Sequence, residues 1–171
     1  MAAVQFEKGP AGERLAFLQD GPPEDQVRTG FFWLGGLMSD MQGSKATDLA
    51  GLARETRRAC LRFDYSGHGQ SSGEFTDGTI TAWLEQAIHM FISRTSGKRI
   101  VIGSSMGGWL ALLLLRTLTR DDPQAARRIH GVVLIAPAPD MTRDLMWQDF
   151  SEEVRQELEE TGIYNMPSAY G

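Results

Sequence analysis

Cysteine is nearly absent from this chain. Cys60 stands alone, so no internal disulfide can form. It precedes Leu61-Arg62-Phe63 in an expected strand, where a buried, inert thiol is expected. Histidine is scarce too. His68, His89 and His130 lack the spacing of metal ligands, so no metal site is expected. Gly35-Gly36 and Gly67-x-Gly69 do not make a dinucleotide fingerprint, and no cofactor is expected. No apolar run approaches a membrane span, so integral membrane association is not expected. Met1–Phe6 lacks the basic region and apolar core of a signal peptide. Charge of one sign is not in large excess. A net charge of −5 argues against nucleic acid or anionic membrane as the main partner. The pairs Arg57-Arg58 and Arg127-Arg128 are read as solvated helix ends. Repeats and low-complexity tracts are missing. These absences point to a reducing, cytoplasmic setting.

The rest is ordinary for a globular protein, and 171 residues give room for one domain with a proper core. Val4–Glu7 and Arg14–Leu18 read as a hairpin around Gly9-Pro10-Ala11-Gly12. Gly21-Pro22-Pro23-Glu24-Asp25 reads as a polar loop. Gly30–Leu34 is continuously apolar, as a strand covered on both faces requires. Ser44 is expected to cap a helix that reaches Arg58 and buries Ala46, Leu49, Ala50 and Ala53. A strand is expected over Ala59–Phe63. Ile80, Trp83, Leu84, Ala87, Ile88, Phe91 and Ile92 repeat at helical spacing. Strands are expected at Arg99–Ile102 and Ile129–Ile135, with a helix between them ending near Thr119. Two helices follow, near Thr142–Asp149 and Ser151–Glu160. Ser151 and Gly162 are expected to cap the second. After residue 30 the alternation of strands and helices predicts a mostly parallel sheet covered on both faces.

Gly103-Ser104-Ser105-Met106-Gly107 has the form G-x-S-x-G, placed between an apolar strand and an apolar helix. A sharp turn there would lift the Ser105 hydroxyl above the sheet as a nucleophile. The Met106 N–H would supply one oxyanion donor. The loop Gly35-Gly36-Leu37-Met38-Ser39-Asp40 would supply the second, the Leu37 N–H. Asp64 and Ser66 are expected to bond the backbone of their own tight loop. His89 and His130 are read as structural. His68 lies at the correct rim of the sheet and is the least implausible of the three as a replacement base. Asp140 is expected to cap a helix.

These elements, with Arg62-Phe63-Asp64-Tyr65-Ser66-Gly67 and Met166-Pro167-Ser168-x-Tyr170, resemble an α/β-hydrolase-fold serine hydrolase. They are most similar to its palmitoyl-protein thioesterase and acyl-glucuronide esterase branch, with mitochondrial and bacterial members. The resemblance implies an α/β fold with residues 1–139 as core and 140–171 as the start of a helical cap. It implies cleavage of carboxylic esters or acyl thioesters through a Ser105 acyl-enzyme, on a small-molecule ester or an acylated protein. Gly36, Met38, Trp109, Met146 and Trp147 are the expected substrate contacts. Leu145, Phe150 and Ile163 are further apolar cap residues. A mitochondrial matrix setting is implied for a eukaryotic mature form. Where relatives carry histidine or proline before the oxyanion-loop glycine, this chain has Gly35, which leaves the backbone donor intact. The family's aspartate and histidine follow the cap and have no matching positions here. The chain is therefore expected to be C-terminally truncated, with the last part of the sheet missing and weak or no activity. A non-catalytic acyl-ligand binder, or another reaction on the same scaffold, is the alternative.

Overall fold

Short apolar runs alternating with amphipathic helices build one six-stranded sheet, seen here in a computed structural model that describes residues 2–22, 28–162 and 164. The strands are β1 (Gln5–Lys8), β2 (Arg14–Asp20), β3 (Gly30–Leu34), β4 (Cys60–Phe63), β5 (Arg99–Ser104) and β6 (Ile129–Ile135). Their spatial order is β1-β2-β4-β3-β5-β6. β3 pairs in parallel with β4 and β5, and β5 with β6. β1 and β2 form the antiparallel hairpin, which joins the sheet through β4. The chain forms two compact units, one ending at Pro139 and the other beginning at Asp140.

The helices of the first unit are α1 (Ser44–Glu55), α2 (Ile80–Arg94), α3 (Met106–Asp121) and the short α4 (Pro123–Ala126). β3 is buried at every residue, and its side chains alternate between two faces. Phe31 and Trp33 meet Ala46 and Ala53 of α1, with Cys60 and Ile102. On the other face Phe32 stacks on Phe63 and meets the edge of Phe91 in α2. Burial pushes the Cys60 thiol up to about 12, so it is inert at neutral pH.

Several local expectations need correction. Gly43, not Ser44, is the N-cap of α1, and no side chain caps that end. The helix stops at Glu55 because Arg57 turns left-handed (φ 52°). Arg57 N–H then bonds the Arg54 carbonyl and Arg58 N–H the Ala53 carbonyl, a Schellman closure. Arg58 and Arg128 are not merely solvated. Arg58 donates to the Thr29 carbonyl. Arg128 lies over the Phe91 ring and donates to the Phe91 and Thr95 carbonyls, closing the C-terminal end of α2. The buried face of α2 is Trp83, Gln86, Ala87, Met90 and Phe91. Ile80, Leu84 and Ile88 sit at its margin and Ile92 is exposed, so the true stripe is rotated from the predicted one. β6 is only partly covered: Val133 is 47% exposed.

The second unit holds a π-helical turn (Thr142–Met146), α5 (Trp147–Asp149) and α6 (Glu152–Thr161). Ser151 Oγ accepts the Val154 N–H, Glu152 and Glu153 occupy the positive first turn, and left-handed Gly162 ends α6. Asp140 starts the preceding turn through its backbone carbonyl, which accepts from Arg143 and Asp144 N–H. Part of the predicted loop (Pro23-Glu24-Asp25), Ile163 and the Met166-Pro167-Ser168-x-Tyr170 motif lie outside the described residues.

Candidate active site

Ser105 lies between the last residue of β5 and the first of α3, with φ 53° and ψ −120°. A serine in that conformation is strained, at a cost of about 1–3 kcal/mol. The surroundings hold it there. Its N–H donates to the Ile135 carbonyl at 3.0 Å, and its own carbonyl accepts from Gly108 and Ala138 N–H. The flanking glycines are required by close packing. A Cβ on Gly103 would lie 2.2 Å from the Gly107 carbonyl oxygen, and one on Gly107 would lie 2.1 Å from that of Leu34. The result is an exposed serine at the mouth of the helix.

The loop after β3 packs directly on this elbow. A Cβ on Gly36 would sit 3.4 Å from Ser105 Cβ. Ser39 N–H closes a turn onto the Gly36 carbonyl. Among the described residues, the N–H groups of Leu37 and Met106 donate to no protein acceptor. Ser104, Ser105, Gly36, Leu37, Ser39 and Lys45 help line a cavity of about 260 Å³. Trp33 also lines it, and its buried Nε1–H has no partner among the described residues.

Residues 64–72 brace that loop. Asp64 Oδ1 accepts the Met41 N–H at 2.7 Å, and Oδ2 accepts the Gln70 N–H at 2.9 Å. Burial raises the Asp64 carboxyl, while these two donors oppose the rise. Arg62, paired with Asp20, donates to the Met41 carbonyl from below. His68 is 4% exposed, and its Nε2 accepts the Met38 N–H at 3.2 Å. Asp64 thus bonds backbone as expected, but it spans two loops rather than one. Ser66 departs from expectation: its N–H and hydroxyl pair with the Gln86 side chain of α2. Gln86, a polar residue inside an apolar helix face, is the signal in the sequence for this tie.

The structure gathers Ser105, Gly36 and Leu37 around one cavity, with Met106 next to Ser105. Met38 is 54% exposed and tethered to His68. Trp109 sits half-buried in the first turn of α3. Met146 and Trp147 belong to the second unit, where with Phe150 and Leu158 they line an apolar cavity of about 440 Å³. No described histidine bonds Ser105 Oγ. His68 has both nitrogens engaged, His89 faces Glu7 at 3.3 Å, and His130 is exposed near the start of β6. In this arrangement His68 engages the Met38 N–H and the Ser66 carbonyl, not Ser105 Oγ. Among the described residues no cluster suited to a metal ion is found, and no helix is long and apolar enough to cross a membrane.

The alpha/beta hydrolase family matches residues 28–167. The mitochondrial palmitoyl-protein thioesterase ABHD10 of Homo sapiens is 30% identical over 141 residues, covering 82% of this chain and 44% of that protein. A crystal structure from Agrobacterium vitis S4 is 39% identical with a TM-score of 0.84, covering 100% of this chain and 65% of that one. Mouse alpha/beta hydrolase domain-containing protein 10 is 27% identical with a TM-score of 0.79, covering 99% of this chain and 63% of that one. The chain thus spans less than half the length of the curated relatives it matches.

Proposed function

This chain belongs to the alpha/beta hydrolase family, and from that premise we propose that it carries the nucleophile and oxyanion groups of a serine hydrolase cleaving acyl thioesters or carboxylic esters. One observation carries the reading. An exposed, strained Ser105 stands beside a cavity, with the unpaired N–H groups of Leu37 and Met106 nearby in the chain and the fold. Ser105 Oγ attacks the acyl carbon, and the carbonyl oxygen takes the negative charge. The two N–H groups hold that charge. Collapse expels the thiol or alcohol, which departs with the proton given up by the Ser105 hydroxyl, and leaves an acyl-Ser105 ester, which water then cleaves to a carboxylic acid and free Ser105.

The likeness to a palmitoyl-protein thioesterase supports a long acyl chain, on a protein thiol or a small ester. We take residues 140–171 as the start of a cap, whose own apolar cavity around Met146, Trp147 and Phe150 suits such a chain. Gly36, Met38 and Trp109 are proposed as further substrate contacts. The setting is cytoplasmic or, as for the human relative, mitochondrial.

The test is intact-mass detection of a fluorophosphonate adduct. One adduct per chain that disappears in Ser105→Ala supports the reading. An adduct that persists undiminished in Ser105→Ala overturns it. The second reading, an acyl-ligand binder without turnover, is favoured by one observation: no described histidine bonds Ser105 Oγ. Binding of a palmitoyl thioether without labelling would select it.

A further inference from the structure

His68 holds the backbone next to Leu37. Its Nδ1 faces the Ser66 carbonyl at 3.1 Å, and a carbonyl can only accept, so Nδ1 carries the proton. Nε2 is then bare and accepts the Met38 N–H at 3.2 Å. One proton placement satisfies both contacts. The ring cannot swing away, because the edges or faces of Tyr65, Phe75 and Trp83 enclose it. Its anchor is fixed as well. The Ser66 carbonyl also accepts Trp83 Nε1–H, and Ser66 is held on both sides by Gln86. A chain of bonds therefore runs from the interior of α2 through Ser66 and His68 to Met38. Met38 needs such a hold, since it sits left-handed at φ 55°. The peptide immediately before it carries the Leu37 carbonyl, and the one before that the Leu37 N–H.

We propose that His68 is a positioning residue: as the neutral Nδ1–H tautomer it fixes the Met38 peptide, and through it aims the Leu37 N–H at the oxyanion. The proposal rests on the function argued above. A second proton on Nε2 would set N–H against N–H at Met38, break the bond and free the Met38 end of the loop, with Met41 still held by Asp64 and Arg62. The groups facing the ring bear on that proton. Asp64 favours it from the same loop, with Asp40 of the oxyanion loop acting on Asp64 in turn. Tyr65, Phe75 and Trp83 contribute burial without charge, and burial is the larger influence, lowering the His68 value below its ordinary range.

The experiment combines imidazole ¹⁵N shifts, Met38 amide hydrogen exchange and the fluorophosphonate labelling rate, on the wild-type chain and on His68→Phe. The wild type should show the Nδ1–H tautomer, and Met38 protection should disappear on acidification together with labelling. His68→Phe keeps a ring in the aromatic pocket but has no acceptor. It should speed Met38 exchange about tenfold and slow labelling roughly 10–100-fold, while Met41, held by Asp64, stays protected. An Nε2–H tautomer in the wild type overturns the proposal without any variant. So does unchanged Met38 exchange in His68→Phe, or faster exchange with an unchanged labelling rate. Label that persists in Ser105→Ala overturns the function and with it the positioning role, whereas the tautomer and exchange readings would still report the bond itself.

Discussion

The elbow and the loop facing it border one cavity but are held by different means. Backbone sterics shape the elbow. Gly103 and Gly107 leave no room for a Cβ, and carbonyl and amide groups of neighbouring segments fix Ser105. Side chains from a distant stretch hold the loop Gly35–Gly43: Asp64 on Met41 N–H, Arg62 on the Met41 carbonyl, and His68 on Met38 N–H. The difference teaches that one wall of the site is indifferent to protons and the other is not. Sterics do not titrate, but an imidazole and a carboxylate do.

The largest expected effect is on the steric wall. Gly107→Ala would place a methyl against the Leu34 and Gly35 carbonyl oxygens, and backbone cannot yield as a side chain can. It should cost about 3 kcal/mol or more, read as a lower urea midpoint at every pH. A midpoint within error of wild type would show that the elbow is looser than its geometry implies.

Next comes Asp64→Ala, which leaves the Met41 and Gln70 amides without acceptors. About 2–4 kcal/mol should be lost, and the exchange of both amides should accelerate. If only Gln70 loosens, Arg62 alone suffices to hold Met41, and the contrast between the walls weakens.

The smallest effect is the dependence of stability on pH. The folded state lowers the His68 value by burial, so the unfolded chain binds the proton more readily. The contribution of the neutral imidazole is complete above the ordinary histidine range. It is lost as pH falls through that range and then through the lowered folded value. Asp64, raised by burial, runs the other way in the more acidic carboxylate range, where its uptake of a proton in the folded state offsets part of the loss. Urea midpoints should therefore drop between neutral pH and the lower edge of the imidazole range, and His68→Phe should remove that drop. An equal drop in the variant would assign it to another group.

Much of the steric wall was legible in the sequence. G-x-S-x-G between an apolar strand and an apolar helix is a local pattern, and its meaning depends on residues within five positions. β3 and β6 begin and end where hydropathy placed them. The rotated stripe of α2 was not legible. Ile80, Leu84 and Ile92 are as apolar as the residues that are buried, and the inward face is marked by long-range contacts: Trp83 and Gln86 bond Ser66, and Phe91 meets Phe32. The end of α1 was missed for a similar reason, since Arg57 in a left-handed turn carries none of the usual glycine signal. His68 was noticed as a rim histidine, but whether its nitrogens were free could not be read from a turn rich in glycine.

The sequence by itself determined the strand and helix order, the hairpin, the buried lone thiol and the strand–serine–helix turn. Those features follow from periodicity and from contacts between near neighbours, which the chain carries wherever it goes. Only the tertiary structure decided that His68 reaches Met38 across 30 positions, that Asp64 reaches Met41 across 23, and that Ser105 shares a cavity with Gly36 and Leu37. Hydrogen bonds are short and directional, so partners far apart in sequence acquire a meaning only after the sheet has set them side by side.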